Sequence, residues 1–274
     1  MEPASAGKGD PTLHVIDPAV YGATISVALF LGIIACLALG RRLGQRVLAR
    51  TAGPPAMAIG SLETAVFGLL GLLIAFTFSG ALSRFDQRRA QAVDEANAIG
   101  TAYLRIDLLP ASAQPGLRAA FRAYADARIA TYGKLPDIAA AQAEVERSKG
   151  FQAEIWQQAV VATRLPDARP GAELLILPAI NAMLDSAMVR LAATQIHPPS
   201  VIYAMLVALA IAAALLAGYQ SAGEPDYDWP HKLGFAAIVA LTVYVILDIE
   251  YPRLGFVRID AIDQLLVDVR AGMK

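Results

Sequence analysis

The sequence predicts an all-α membrane protein with four transmembrane helices and a helical domain inserted between the second and the third. Hydrophobic residues make up 56% of the 274 residues and charged residues only 17%, whereas a soluble domain has about 25% charged residues. The apolar residues are concentrated in four blocks that are largely free of charge. The segment between the second and third blocks shows helical periodicity and no strand-like alternation, which favours an all-helical protein.

Each block is long enough to cross a bilayer, since about 20 apolar residues span about 30 Å of hydrocarbon. The fourth has a short uncharged core, so a buried soluble helix is the alternative for it. Trp229 and Tyr251 bracket this block at positions typical of membrane interfaces, which favours a real span. The predicted spans are residues 18–40, 64–83, 198–219 and 231–250.

The basic residues give a weak indication of orientation. The first span is followed by four arginines and lacks a basic leader, so we do not expect a cleaved signal peptide. Four spans place both termini on the same side as the inserted segment. Seven basic residues lie near the membrane on that side and five on the other, which favours a cytoplasmic insert under the positive-inside rule.

The inserted segment is predicted to be a helical bundle continuous with the membrane part. No proline interrupts the chain from Leu62 to Leu109, so span two is expected to continue as a rod of about 72 Å, of which about 40 Å projects beyond the bilayer. Further helices are predicted at about 116–132, 138–164 and 173–195. Their expected buried residues are Phe151, Ile155 and Trp156 in the second of these and Leu174, Leu177, Ile180, Leu184, Met188 and Leu191 in the third.

These elements divide the chain into five regions. The last is amphipathic with a mainly acidic polar face, which favours a docking segment over a membrane-surface helix, since the latter usually carries basic residues. The predicted regions are a mobile N-terminal tail (1–18), a transmembrane hairpin (19–83), a helical cytoplasmic domain (84–196), a second transmembrane hairpin (197–250) and a C-terminal docking segment (251–274).

No catalytic, cofactor or metal site is predicted. The three histidines stand far apart, and the single Cys36 excludes a disulfide framework and a thiolate metal cluster. No phosphate-binding loop, zinc-protease motif, nucleophile elbow or dinucleotide fingerprint occurs. A net charge of −1 gives no general attraction to nucleic acid. We therefore expect neither an enzyme nor a nucleic-acid-binding protein.

Span two carries the pattern that points to function. Its small residues recur at helical spacing, and such a stripe lets helices approach closely in lipid. One face has bulky apolar residues followed by hydroxyl groups, and a second face is aromatic. The first face and its flanking stripe are Leu72, Phe76, Ser79 and Ser83 with Gly68, Gly71 and Ala75; the second is Phe67, Ile74 and Phe78.

Either face suits a hydrophobic constriction. Copies of span two around an axis would present apolar rings with hydroxyl groups below them, and such constrictions gate ions by dewetting. The alternative is that the small stripe packs within one subunit and the phenylalanines belong to its core. The pattern leaves both open.

Two segments resemble the bestrophin family. The run from Phe76 to Arg89 is similar to the bestrophin pattern of a neck aromatic, a serine-containing stretch and Ser-Arg-aromatic. The run from Asp248 to Asp260 is similar to the acidic segment after the last bestrophin span. The segments 94–103 and 179–181 resemble motifs of the bacterial bestrophin-like family, and the likeness covers about residues 20–272.

The resemblance implies a homo-oligomeric channel, pentameric in bestrophins, that conducts small inorganic ions across the bacterial inner membrane. Both termini and the helical domain would be cytoplasmic, and membrane lipid would surround the spans. Phe76 would form a neck ring and Leu72 the ring above it. Gly68 has no bulky side chain, so the neck would be at most two rings deep. The calcium-binding acidic cluster of animal bestrophins has no counterpart after Glu250, so we expect no calcium gating and no cofactor.

Four charged residues are expected near the pore mouth: Glu63, Arg84, Asp248 and Glu250. Arg84 would bias selectivity toward anions if it faced the pathway. Alternatively, it is an interfacial anchor or the partner of Asp86 or Asp248. The competing function is a non-conducting membrane scaffold or stress sensor whose cytoplasmic bundle binds a partner.

Overall fold

The computed structural model describes residues 18–50, 58–223, 229–252, 256–257 and 260–274. In these residues all regular structure is helical, which confirms the all-α prediction. The predicted N-terminal tail lies outside the described residues except for Pro18. The α-helices are α1 (Pro18–Leu48), α2 (Ala58–Leu104), α3 (Gln114–Gly133), α4 (Ile138–Ala162), α5 (Glu173–Ala193), α6 (Ser200–Gln220), α7 (Trp229–Glu250) and α8 (Asp260–Ala271).

Helix α2 is the longest element and connects the two halves of the molecule. Its 47 residues contain no proline, and a helix of this length extends about 70 Å. A 3-10 turn at Arg105–Leu108 follows it, and Pro110 lies just beyond. Helix α1 continues past the predicted end of the first span, so Arg41, Arg42 and Arg46 belong to the helix itself.

Four helices, α1, α2, α6 and α7, share one apolar core. Helix α1 packs most closely on α6, at Gly40 and Gly218. A Cβ atom on Gly40 would overlap the carbonyl oxygen of Leu215, and one on Gly218 would overlap that of Leu37. These glycines therefore allow a backbone-to-backbone approach that a larger residue would prevent. The fully or largely buried residues of this core include Leu29, Ile33, Leu70, Leu206, Ala210, Ala236 and Val243.

A second core lies between the other half of α2 and helices α3, α4, α5 and α8. Helix α8 packs against α2 and α3, and Leu266 is its buried contribution. The terminal carbonyl oxygen of Lys274 accepts a hydrogen bond from the Tyr103 hydroxyl at 2.5 Å. The largest fully buried side chains of this core are Ile99, Ile106, Leu117, Phe121, Tyr124, Ile155, Ile176, Ile180 and Met183.

Some expected core residues lie on the surface. Ile155 is buried, but its neighbour Trp156 is partly exposed. Leu174 and Met188 of α5 are exposed, and Ile176 and Met183 are buried. Helix α5 is apolar on nearly every side, so spacing alone does not identify the side that packs. The buried face, which packs on α2, includes small residues such as Ala187 together with Ile176 and Met183.

Five helices are long and apolar enough to cross a membrane, judged by length and composition among the described residues. They are α1, α2, α5, α6 and α7. Helix α5 adds one to the four predicted spans, with a mean hydropathy of 1.5 against 2.0 to 2.5 for the others.

Candidate functional site

One side of α2 is not covered by any other part of the described chain. Leu72 is 53% exposed and Phe76 is 67% exposed. Gly68, Ser79 and Ser83 are exposed on the same side. We call these five residues the uncovered face of α2. The hydrophobic side chains of this face are thus available for a contact outside the subunit.

Two glycines on this side of α2, Gly68 in the uncovered face and Gly71 beside it, make no close contact with another described helix. A Cβ atom added to Gly68 or Gly71 would meet nothing within 4 Å, and Ala75 is exposed. The alternative in which this stripe packs inside one subunit is therefore wrong for the two glycines. Close glycine packing occurs instead between α1 and α6, which the sequence analysis missed.

The second face of span two turns largely toward the subunit. The ring of Phe67 packs edge-on against Phe235 of α7, with ring centroids 5.3 Å apart. Ile74 packs against the apolar core that α1, α2, α6 and α7 share, and Phe78 is partly exposed. Glu63 is partly buried near the start of the helix. The structure therefore separates the two predicted faces, one exposed and one mostly packed.

A buried ion cluster lies where α2 passes the end of α7. The carboxylate of Glu250 is fully buried. Arg84 donates to both of its oxygens, from Nε at 3.0 Å and from Nη2 at 2.8 Å. Arg88 donates to its backbone carbonyl at 2.8 Å, and His197 Nδ1 lies 3.3 Å from Oε1. We call Arg84, Arg88, His197 and Glu250 the junction cluster.

The junction cluster corrects the predicted partners of Arg84. Its guanidinium pairs with Glu250 and not with Asp86 or Asp248. Asp248 instead accepts the backbone N–H groups of Phe256 at 3.0 Å and Val257 at 2.8 Å. Arg84 and Glu250, two of the four residues expected near a pore mouth, are thus bound to each other. Their charges largely cancel within the subunit.

A second buried cluster, which the sequence analysis did not identify, lies inside the helical bundle. Glu95 is fully buried and accepts from Arg128 and from Arg190, each at 2.5 Å. Arg190 also pairs with Asp263 of α8. Burial alone would raise the pKa of the Glu95 carboxyl, but Arg128 and Arg190 together lower it below its ordinary value. The sequence does contain a signal for this cluster, because Arg128 in α3 and Arg190 in α5 each lie on an otherwise apolar side of the helix.

A cavity of about 560 Å³ lies beside the junction cluster. Its wall includes Arg88 and Gln91 of α2, Val145 of α4 and Leu191 of α5. The side-chain oxygen of Gln91 is buried without a hydrogen-bond partner among the described residues. None of the residues of the uncovered face lines this cavity, so the two features are separate.

The comparisons with known proteins identify one family. A model of the bestrophin-like domain matches residues 20–262, which is most of the chain. No curated protein and no solved structure matches significantly.

Among the described residues, no group of three or more histidine, cysteine or acidic side chains is arranged to hold a metal ion.

Proposed function

Since this chain belongs to the bestrophin-like domain family, we propose that it is a homo-oligomeric passive ion channel, pentameric by family resemblance. Family membership and its apolar helices mark it as a channel-like integral membrane protein. In the proposal, copies of α2 surround a central pathway. Leu72 and Phe76 form its hydrophobic neck, and Ser79 and Ser83 lie below them.

The exposure of Leu72 and Phe76 is the observation that carries the proposal. A hydrophobic ring in a narrow pore blocks ions because water leaves the constriction, and it conducts when the constriction widens. Such a ring needs side chains that no other part of the subunit covers. No other part of the described chain covers either side chain, whereas Phe67 and Ile74 of the second face contact the subunit core.

Lipid is the competing partner for the uncovered face, and two features favour other copies of α2 over lipid. Gly68 and Gly71 leave open space beside the face, and small residues favour close packing between helices in a membrane. The exposed side of α2 also continues past the predicted bilayer, where Asn97 and Thr101 are exposed. Lipid tails cannot cover that part.

We propose four spans, α1, the first half of α2, α6 and α7, with α5 in the cytoplasmic bundle. Helix α5 carries the buried Arg190, which pairs with Glu95 and Asp263. A charged network of this kind is costly at the centre of a bilayer. Helix α5 also packs against the half of α2 that lies beyond the predicted span. Both termini would be cytoplasmic and the protein would sit in the bacterial inner membrane.

We propose no catalytic role for the chain. The alternative function is a non-conducting scaffold or stress sensor, for which the bundle would bind a partner. In that case the exposed Leu72 and Phe76 would have no role beyond lipid contact. In the channel proposal, these two side chains form the hydrophobic neck.

Planar-bilayer recording of the purified protein tests the proposal. We expect discrete single-channel currents from the wild type. The substitutions Leu72→Ala and Phe76→Ala are expected to raise the open probability or the conductance, because a smaller ring is easier to wet. The matched control is Ile238→Ala, which removes a similarly exposed apolar side chain from α7.

The control is expected to leave the currents unchanged, because Ile238 would face lipid. Absence of current over a range of salts and pH values, from protein of intact native mass, would contradict the channel. Recovery of a soluble partner with a monomeric membrane chain would then favour the scaffold. Currents that respond to Ile238→Ala as strongly as to Phe76→Ala would contradict the assignment of the neck.

A further inference from the structure

The exposed side of α2 continues in the same direction beyond the membrane. An α-helix has 3.6 residues per turn, so positions eighteen residues apart project the same way after about five turns. Helix α2 is unbroken from Ala58 to Leu104. Asp94 therefore projects in the direction of Phe76, and Asp86 in the direction of Gly68. Any axis that Phe76 faces is also faced by Asp94.

Asp94 carries an uncompensated charge on this side. It is exposed and makes no ion pair with any residue that the structure describes. Asp86 is paired with Arg89 at 3.4 Å, but both side chains are more than half exposed. Surface pairs of this kind contribute little, so they compensate the charge only weakly.

The remaining basic residues of α2 point elsewhere. Arg84 and Arg88 both contact Glu250, and Arg88 also donates to the backbone carbonyls of Ala193 and Ile196. These contacts lie on the side of α2 that faces α5 and α7. Arg88 is buried. The guanidinium of Arg84 lies beside Gly80, but it donates to both carboxylate oxygens of Glu250, which offset its charge.

From this arrangement we infer that the pathway is selective for cations, with Asp94 as its main determinant on the cytoplasmic side of the neck. The inference rests on the proposed channel and specifies the ions that it conducts. Asp94 lies eleven residues beyond Ser83, which is about 16 Å along the helix. Repeated by each copy around the axis, it forms a ring of carboxylates on the cytoplasmic side of the neck.

A carboxylate ring acts by concentrating counter-ions. Rings of acidic side chains are a general device of cation channels, and a wall of one charge raises the local counter-ion concentration by about tenfold or more. The Debye length is about 10 Å at 0.1 M ionic strength and about 30 Å at 0.01 M. The selectivity supplied by Asp94 is therefore expected to be strongest at low salt.

Reversal potentials in a KCl gradient test the inference. We expect the wild type to reverse near the potassium equilibrium potential at low salt. Asp94→Asn is expected to lower the ratio of potassium to chloride permeability by about tenfold, in line with the loss of local counter-ions. Asp86→Asn is expected to have a smaller effect because Asp86 projects about 80° around the helix from Phe76, whereas Asp94 projects in the same direction as Phe76. The control, Glu154→Gln, removes an exposed charge from α4, which packs mainly on α3.

The outcomes separate this inference from the channel proposal. Currents that reverse near the chloride potential would overturn cation selectivity and leave the channel intact. Cation-selective currents with an unchanged permeability ratio in Asp94→Asn, or an equal change in Glu154→Gln, would overturn the role of Asp94. Absence of current in every variant, with native mass retained, would overturn the channel and this inference together.

Discussion

Glu95 and Glu250 are buried carboxylates that hold different parts of the molecule together. Glu250 links the end of α7 to α2 through Arg84 and Arg88. Glu95 links α2 to α3 and α5 through Arg128 and Arg190. A buried carboxylate without partners would be costly, and two guanidinium groups offset that cost in each case. Both glutamates therefore stabilise α2 against its neighbours without adding charge to the uncovered face.

Replacement of Glu95 by glutamine is expected to destabilise the bundle by about 3–5 kcal/mol near neutral pH, because two buried guanidinium groups lose their counter-charge. The pKa of Glu95 is lowered below 4.5 in the folded protein. Its contribution is therefore fully present above that value and is lost as the pH falls through the lower, folded pKa. The difference in melting temperature between wild type and Glu95→Gln should stay constant from about pH 8 to pH 5.

At pH values below the ordinary glutamate pKa, the difference in melting temperature between wild type and Glu95→Gln should become smaller. Thermal unfolding in detergent, monitored by circular dichroism at several pH values, measures it. Glu154→Gln serves as the control because Glu154 is exposed, and surface substitutions of this kind change stability by about 0.5 kcal/mol or less. A difference that persists undiminished to strongly acidic pH would show that the charge of Glu95 does not carry the effect.

At the scale of elements, α1 and α6 approach each other so closely at Gly40 that a Cβ atom there would meet backbone atoms of α6. Gly40→Ala would place a Cβ atom 2.8 Å from the backbone nitrogen of Tyr219 and in overlap with the carbonyl of Leu215. Backbone atoms cannot rotate away as a flexible side chain can, so the helices must separate. Overpacking of this kind costs about 1–3 kcal/mol.

Gly40→Ala is therefore expected to lower the melting temperature in detergent. Gly234→Ala is the matched control, since a Cβ atom there meets no described atom within 4 Å. The control should be neutral or slightly stabilising, because alanine favours the helix over glycine by about 1 kcal/mol. Equal melting temperatures for the two variants would contradict the close packing of α1 on α6.

The helices were largely predictable from the sequence, whereas the partners of their side chains were not. The absence of proline from Leu62 to Leu109 predicted α2 almost to its ends, because proline is the strongest local helix breaker. Periodicity gave two candidate faces for span two and could not choose between them. The choice depends on Phe235, which packs on Phe67 from a distant part of the chain. The pairing of Arg84 with Glu250 likewise joins residues 166 positions apart.

At the scale of the whole molecule, α2 contributes to both apolar cores and also has an exposed side along its length. Leu70 is buried in the core that α2 shares with α1, α6 and α7. Ile99 is buried in the core that α2 shares with α3, α4, α5 and α8. Phe76 and Asp94 project away from both. In the proposed assembly, a movement of the bundle would therefore be transmitted to the neck along one continuous helix, because no break separates Phe76 from Asp94.

Gly71→Leu tests whether the flank of the uncovered face packs against another copy of the chain. No described residue lies within 4 Å of a Cβ atom at this position, and leucine favours a helix more than glycine does. The isolated chain should therefore fold as well as the wild type. Contacts between copies should weaken by about 1–3 kcal/mol each, because the added side chain holds the helices apart.

Native mass spectrometry of the detergent-solubilised protein measures this effect. We expect a homo-oligomer, five chains by family resemblance, for the wild type and a shift toward single chains for Gly71→Leu. Gly234→Leu controls for the added bulk, because Gly234 also has open space around it but lies on α7. An oligomer that tolerates Gly71→Leu while Gly234→Leu dissociates it would place the interface on α7. The channel would then need a different pathway, because copies joined through α7 would not bring Leu72 and Phe76 together around an axis.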